Sequence, residues 1–330
     1  MPEYRRRQED IAAFMARVAE AQAGCSPKFV RYLHRLSRMS AIRHRHTVVS
    51  DYGRTDPADF DFFPKNWALQ PSPSTADRMV LYREASTQLA EIAARGALAD
   101  AGIPAEAITH IVVSTCTGFF APGPDVLLME RLGLAPSVQR SILGFMGCYA
   151  GINGLRAADH IVRAEPDAVV LQVAVELCSL HFQSDADPAH LVSNLLFADG
   201  AAAAVFRRRP GRRPVSPTIA KTASSVSHDT RDQMGWTIGD HGFVMSLAAS
   251  VPAHLQTQAP AFVDALLAPS TTSQHGLSRG DVAGWAVHPG GKRILLAIGE
   301  ALGLDEAALA CSTSILQDGR RAKLWKGKPG

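Results

Sequence analysis

The sequence predicts an α/β protein of two similar halves, in which mostly parallel sheets are covered by helices. Three observations carry that reading. From residue 108 onward, short β-branched runs alternate with segments of helical period, the pattern of crossover connections rather than hairpins. A Pro- and Arg-rich break, RRRPGRRPVSP at 207–217, divides the chain. The length of 330 residues corresponds to about two domains, at ~150 residues each.

Taken in order, the first ~45 residues read as helix. Ile11, Phe14, Met15 and Val18 recur at helical spacing, and Phe29, Leu33 and Leu36 repeat the period after the Gly/Pro break AGCSPKF. Tyr52 to Ser74 is rich in Asp, Pro and Phe and has no period, which predicts a long surface loop or lid. Thr75 to Gly102 reads as a long Ala-rich helix stopped by Gly102 and Pro104. Strands are then expected at Ile108–Thr115, Ser141–Phe145 and Ala168–Val175, with helices at Gly123–Leu132 and Tyr149–Arg163. Leu195–Phe206 is strand-like at its end. Beyond the break, Thr218–Val226 and Val282–Val287 read as strands, and Val251–Leu267 and Lys292–Leu302 as helices. The division expected is a first half at 1–206, a linker at 207–217, a second half at 218–316 and a basic tail at 317–330. A nucleic-acid tag is one reading of the break; its abrupt switch to Arg and its three Pro favour a solvated linker.

Composition excludes several classes. Lys+Arg 34 against Asp+Glu 31 gives a net charge of +3, so no bulk charge drives nucleic-acid or membrane binding. The pI of 8.6 leaves room for a local basic patch facing an anionic ligand. The five cysteines, Cys25, Cys116, Cys148, Cys178 and Cys311, form no CxxC or metal spacing, which reads as reduced thiols in a cytoplasmic protein without a metal. No apolar stretch follows the charged N-terminus, and the longest apolar run, Ala168–Val175, is too short to span a bilayer.

Two residues stand out chemically. Cys148, in ILGFMGCYAGINGLRAADHIV, falls at a strand-to-helix turn, where a helix N-terminus stabilises thiolate over thiol. A small buried hydrophobe is the alternative fate of such a cysteine. His288, in WAVHPGGKR, ends an expected strand in the second half. Cys with His gives a thiolate–imidazolium pair suited to acyl transfer. Gly290 and Gly291 cradle a phosphate or simply make the turn.

GFMGCYAG around Cys148, FADGAAAAVF, GDHGFVMSL and above all WAVHPGGKRIL resemble the type III polyketide synthases, the chalcone/stilbene synthase family, from about Pro2 to about Leu316. The resemblance implies a thiolase-type fold, a homodimer, and CoA thioesters as substrates without a further cofactor. It gives Cys148 the starter acyl group and His288 the tasks of keeping the thiolate formed and stabilising the enolate left when malonyl-CoA loses CO2. An alkylpyrone or alkylresorcinol type of product is expected. Phe182 and Met245 match gatekeeper positions between CoA tunnel and cavity. Cys116 and Ala121 match cavity-lining positions, where the small Ala121 and flexible Met245 imply a roomy cavity. Arg35 matches a residue that meets the CoA phosphates, and with Arg31, Arg38, Arg43 and Arg45 it is expected to form a helical basic face.

The resemblance fails at the ends. The family's catalytic Asn falls by position on Arg321, and the tail QDGRRAKLWKGKPG resembles none of the family's closing strands. The strand that precedes the first helix in the family is expected to be missing too. Two alternatives therefore stand beside the leading one: a ketoacyl synthase III-type condensing enzyme, against which HPGG argues, and a catalytically impaired homologue that acts as a binding or dimer partner.

Overall fold

The structure, a computed structural model, describes residues 1–22, 25–185, 187–208, 217–269 and 276–319. The expected all-helical opening is bracketed by two short strands. β1 (Tyr4–Arg7) precedes α1 (Gln8–Glu20) and α2 (Pro27–Met39), and pairs antiparallel with β2 (His44–Thr47), Tyr4 opposite Thr47. A strand therefore does stand before the first helix. Its sequence, YRRR, hides it because no apolar alternation marks it. Its side chains are held by polar contacts, such as that of Arg6 Nη2 to the Ser50 carbonyl at 2.9 Å.

The segment 52–74 has no regular period, as expected, but it is no lid. Tyr52, Phe60, Phe63 and Leu69 are buried, with the Phe14 ring in contact with those of Tyr52, Phe60, Phe63 and Trp67. The buried Asp51 carboxylate accepts the N–H groups of Asp61, Phe62 and Phe63 at 2.7–3.1 Å. Aromatic burial and a carboxylate cap fix this loop without any repeat that a pattern search detects.

A four-stranded sheet forms the heart of the first half. α3 (Thr75–Ala101) begins in a Ser74/Asp77 capping box and stops at Gly102, whose φ of 62° is a left-handed cap. There follow β3 (His110–Thr115), α4 (Pro124–Leu132), β4 (Gln139–Gly144), α5 (Ala150–Ala164), β5 (Val169–Leu177), α6 (Pro188–Leu196) and β6 (Asp199–Arg207). The sheet order is β4-β3-β5-β6, with the first three parallel and β6 antiparallel to β5. Alternation along β5 explains its two covers. Leu171, Val173 and Val175 join the main core with Leu89 and Ala90 of α3, whereas Val170 packs with Ala158 of α5.

The second half brings two departures. Met234–Gly239 (β7) and Gly242–Leu247 (β8) form a hairpin that the sequence reading left unassigned. The stretches 218–226 and 282–287, expected as strands, have no regular structure and form no ladder among the described residues. A strand exists only when a ladder partner takes its N–H and C=O groups; here the Val287 N–H instead donates to Ser312 Oγ at 2.9 Å. α7 (Val251–Leu267) and α8 (Lys292–Leu302) match expectation, and α9 (Glu306–Asp318) runs past residue 316. Its terminal Asp318 accepts from Arg43 at 2.5 Å and lies 2.9 Å from His44 Nδ1. Most of the linker, residues 209–216, and Arg321 in the tail lie outside the described residues.

Candidate active site

The C-terminal ends of β3, β4 and β5 converge, the usual place for chemistry in an open α/β sheet. β4 ends at Gly144, and the chain then turns through Phe145 at φ 53° and Gly147 at φ 69°. A positive φ suits glycine, but for a phenylalanine it is strained backbone. The Phe145 ring is held by Phe119 and Phe243, with centroids 6.3 and 5.7 Å away. Cys148 sits in the single turn Gly147–Tyr149, immediately before α5, and is exposed. Ser114 Oγ donates to the Ala150 carbonyl at 3.2 Å and ties the start of α5 to β3.

Glu176, near the end of β5, was not singled out from sequence. Its one visible signal is a charge inside the apolar strand VVLQVAVEL. The carboxyl accepts the Cys116 N–H at 2.9 and 3.0 Å and the Thr117 hydroxyl at 2.7 Å. Burial outweighs these bonds and pushes its pKa up to about 7. Desolvation, and next the Glu176 charge, hold the Cys148 thiol above its ordinary value, opposing the helix N-terminus behind it. Cys116 is buried, its Sγ 3.8 Å from the Gly147 carbonyl, and is pushed up to about 11. It lines the Cys148 turn as an inert thiol.

His288 lies in a turn rather than at a strand end, with the Gly290 N–H donating to its carbonyl at 3.0 Å. Desolvation lowers the imidazole and favours its neutral form. A carbon added to Gly290 would approach the His288 ring to 3.2 Å, and Gly291, at φ 146°, leads directly into α8. The two glycines thus let the chain fold closely under the histidine. A carbon on Gly291 would lie 3.7 Å from Leu196, so this turn abuts the end of α6. The thiol of Cys148 and the imidazole of His288 share no hydrogen bond among the described residues.

The hairpin docks beside the Cys148 turn, with Phe243 against Phe145. His181 Nδ1 accepts the Phe243 N–H at 3.0 Å, so Nε2 carries the proton and lies 2.7 Å from the Thr117 carbonyl as donor. The His181 ring stacks on Phe243 at 4.1 Å, and burial holds it down to about 4. Trp236 Nε1 donates to the Cys116 carbonyl at 2.7 Å. Behind the hairpin lies a cavity of about 30 Å³, lined by Phe182, Met245 and Phe197 among others. That is room for about one water molecule, so the roomy cavity expected at Met245 is not open here. The Phe182 ring is committed to the aromatic core, packed on Phe14, Tyr52 and Phe63. Phe197, missed in the sequence, is half-buried at the junction of α6 and β6. Ala121 is exposed on the loop after β3 and does not line this cavity.

Arg31, Arg35 and Arg38 are exposed on α2. The other two arginines leave the expected basic face, because α2 ends at Met39. Arg43 pairs with Asp318, and Arg45 is buried in β2, bonded to the Asn194 and Phe197 carbonyls.

A thiolase-like α/β fold with a cysteine displayed at a strained strand-to-helix turn defines a class, the condensing acyltransferases. A family model for the N-terminal domain of chalcone and stilbene synthases matches residues 1–210. The 1,3,6,8-tetrahydroxynaphthalene synthase of Streptomyces peucetius subsp. caesius is 32% identical over 94% of this chain and 77% of its own length. The alpha-pyrone synthesis polyketide synthase-like Pks18 of Mycobacterium tuberculosis is 32% identical over 84% of this chain and 70% of its own. Among solved structures, PKS-I of the brown alga Ectocarpus siliculosus superposes with a TM-score of 0.86 at 32% identity, covering 96% of this chain and 82% of that one. The tetrahydroxynaphthalene synthase of Streptomyces coelicolor gives 0.80 at 28% identity, covering 96% and 83%. The chain belongs to the chalcone and stilbene synthase family, the type III polyketide synthases.

Proposed function

We propose that this chain loads an acyl group from acyl-CoA onto Cys148 and extends it with malonyl-CoA, giving a polyketide of alkylpyrone or alkylresorcinol type. The observation that carries the reading is the exposed Cys148 thiol on its strained turn before α5. Cys148 gives its proton to His288, whose desolvated imidazole is in the accepting, neutral form. The thiolate attacks the acyl-CoA carbonyl and CoA thiolate leaves. Malonyl-CoA then loses CO2: the bond to its carboxyl carbon breaks, and the electron pair remains as a thioester enolate. His288, now protonated, donates to the enolate oxygen. The enolate carbon attacks the cysteinyl thioester, a carbon–carbon bond forms, and the Cys148 thiolate is released. Arg35, with Arg31 and Arg38, offers the exposed cationic face that suits the CoA phosphates. No metal enters these steps, and no group of three or more His, Cys, Asp or Glu fit to hold one occurs among the described residues.

The working form proposed is a cytoplasmic homodimer. β4 is an outer strand with one ladder partner among the described residues, and its Ile142 is 45% exposed. Phe119, Tyr149 and Ile152 are exposed apolar side chains as well. A second copy of the chain would cover this edge. No described helix is long and apolar enough to cross a membrane.

Radiolabelled malonyl-CoA tests the reading, with CO2 release and product measured beside acyl-Cys148 formation by intact-protein mass spectrometry. Acyl-enzyme, CO2 and product together support it. Acyl-enzyme without CO2 release would instead mark the impaired homologue, and strict dependence on acyl carrier protein the ketoacyl synthase III type.

A further inference from the structure

His288 stands on a segment with few ties of its own. The backbone of 283–287 makes one hydrogen bond among the described residues, the Val287 N–H donating to Ser312 Oγ at 2.9 Å. Val287 is covalently next to His288, so this bond fixes the chain within one residue of the imidazole. On the other side, the Gly290 N–H closes the turn on the His288 carbonyl, and α8 starts at Lys292. The histidine is thus held between the start of α8 and a single side-chain acceptor on α9.

Ser312 is 2% exposed and lies in the body of α9. A serine or threonine in a helix can turn its hydroxyl back to the carbonyl four residues earlier, as Thr87 does to Arg83 and Thr257 to Ala253. Among the described residues, the bond of the Ser312 hydroxyl instead leaves its helix for Val287. α9 is a firm support for it. Leu309, one turn before Ser312, is buried against α8, where a carbon added to Gly299 would meet it at 2.9 Å. At the far end Asp318 accepts from Arg43 at 2.5 Å, and the Arg43 N–H donates to the Gln317 carbonyl at 2.7 Å. The helix is therefore attached both to α8 and to the first half, and Ser312 is a fixed point between those attachments.

We propose that Ser312 is a positioning residue for His288: its hydroxyl holds the backbone at Val287, and with it the imidazole, in the place where the proton transfers occur. The inference rests on the acyl-loading and condensing function argued above and deepens it. Ser312 touches neither the substrate nor the thiol. Without its acceptor, 283–287 keeps no backbone hydrogen bond among the described residues, and the imidazole loses its setting. Misplacing a catalytic group costs rate more than binding, so the loss falls on kcat.

The test is release of labelled CO2 from malonyl-CoA by wild type, Ser312→Ala, Ser312→Thr and His288→Ala, with kcat and KM resolved for each and folding followed by far-ultraviolet circular dichroism. Ser312→Ala removes the acceptor and little volume, and Ser312→Thr retains the hydroxyl. The expected result is a fall in kcat of about tenfold in Ser312→Ala, with KM for malonyl-CoA unchanged and the rate restored in Ser312→Thr. A Ser312→Ala variant with wild-type kcat, a loss carried by KM, or a Ser312→Thr variant as slow as Ser312→Ala overturns the proposal. Loss of the folded spectrum in Ser312→Ala would make Ser312 a stability residue and overturn it too. A wild type that releases no CO2, or a His288→Ala variant as fast as wild type, defeats the function assigned to His288 and this proposal with it. A slow His288→Ala beside an unaffected Ser312→Ala defeats this proposal alone.

Discussion

Cys148 stands between opposing electrostatic effects. The N-terminal end of α5 favours its thiolate, while desolvation and the carboxyl of Glu176 favour the thiol, and the balance lies above the ordinary thiol value. Exposure nevertheless separates it from its neighbours. Cys116 is buried and pushed up to about 11, and Cys178 is raised well above its ordinary value by burial. Iodoacetamide is therefore expected to modify Cys148 ahead of Cys25, Cys116, Cys178 and Cys311, at a rate that climbs as pH rises through the alkaline range. Because Glu176 titrates at about 7, it is ionised at pH 8, and Glu176→Gln should lower the Cys148 midpoint and speed labelling there. Peptide mapping after timed alkylation checks both; first modification at Cys311, or a slower Glu176→Gln, would show that the assignment is wrong. The resemblance makes Met245 a gate; with a cavity of about 30 Å³ beside it, a long acyl chain passing there would need side chains to move aside. Met, with three rotatable bonds, can do so, and a rigid ring cannot. Met245→Phe is expected to reduce kcat/KM for palmitoyl-CoA more than for acetyl-CoA, and equal losses would refute this.

Among the strands, β4 is the most exposed, and the homodimer proposed above would cover its edge. Ile142 points an apolar side chain from an uncovered edge, a position where a charge blocks strand addition. Ile142→Lys should convert a dimer to a monomer in light scattering while far-ultraviolet circular dichroism stays unchanged; a variant that remains dimeric would place the interface elsewhere. The same strand shows what sequence pattern captures. β3 and β5 are read correctly because both faces are buried and their β-branched runs are continuous, and α7 and α8 are read to the residue because an apolar stripe and Gly or Pro mark their limits. β1 and β2, as YRRR and HRHT, carry no such pattern, since their ladder is closed by charged residues anchored on Ser50 and Asp318. Stretches 218–226 and 282–287 have the right composition for strands and no partner among the described residues. Pairing is a property of two segments, and no single segment displays it. At the site, Cys148 and His288 were legible through their turn residues. Glu176, His181, Trp236 and Phe197 were not, because their roles come from contacts 50 or more residues away in the chain.

In the molecule as a whole, burial raises the pKa of two carboxyls, Glu176 and Asp199, and stability should record their titration. Glu176 is raised from 4.5 to about 7, and Asp199 from 3.8 to about 6, in both cases chiefly by desolvation. Asp199 stays in place because it accepts the N–H groups of Val48 and Ser179 and the Ser179 hydroxyl. Between the unfolded and folded pKa values the folded chain binds more protons than the unfolded one, so stability falls as pH rises through that window. For Glu176 the window is 4.5 to about 7, and the loss amounts to about 3 kcal/mol on the linkage scale. His181 works in the opposite direction. Held down to about 4 by burial, it is neutral when folded while the unfolded ring still binds a proton, so its contribution rises with pH up to about 6.5. The wild-type profile is thus a partial cancellation, and a difference measurement isolates one group. Glu176→Gln removes the ionisation and leaves acceptors for the Cys116 N–H and Thr117 hydroxyl, so any packing cost is independent of pH. Chemical denaturation of both proteins at intervals from pH 4.5 to 8 should show the variant gaining on wild type by up to about 3 kcal/mol across the window, then holding level. A constant difference over the whole range would mean that Glu176 ionises in the folded protein as it does in the unfolded one, and that desolvation at the end of β5 is compensated by its hydrogen bonds.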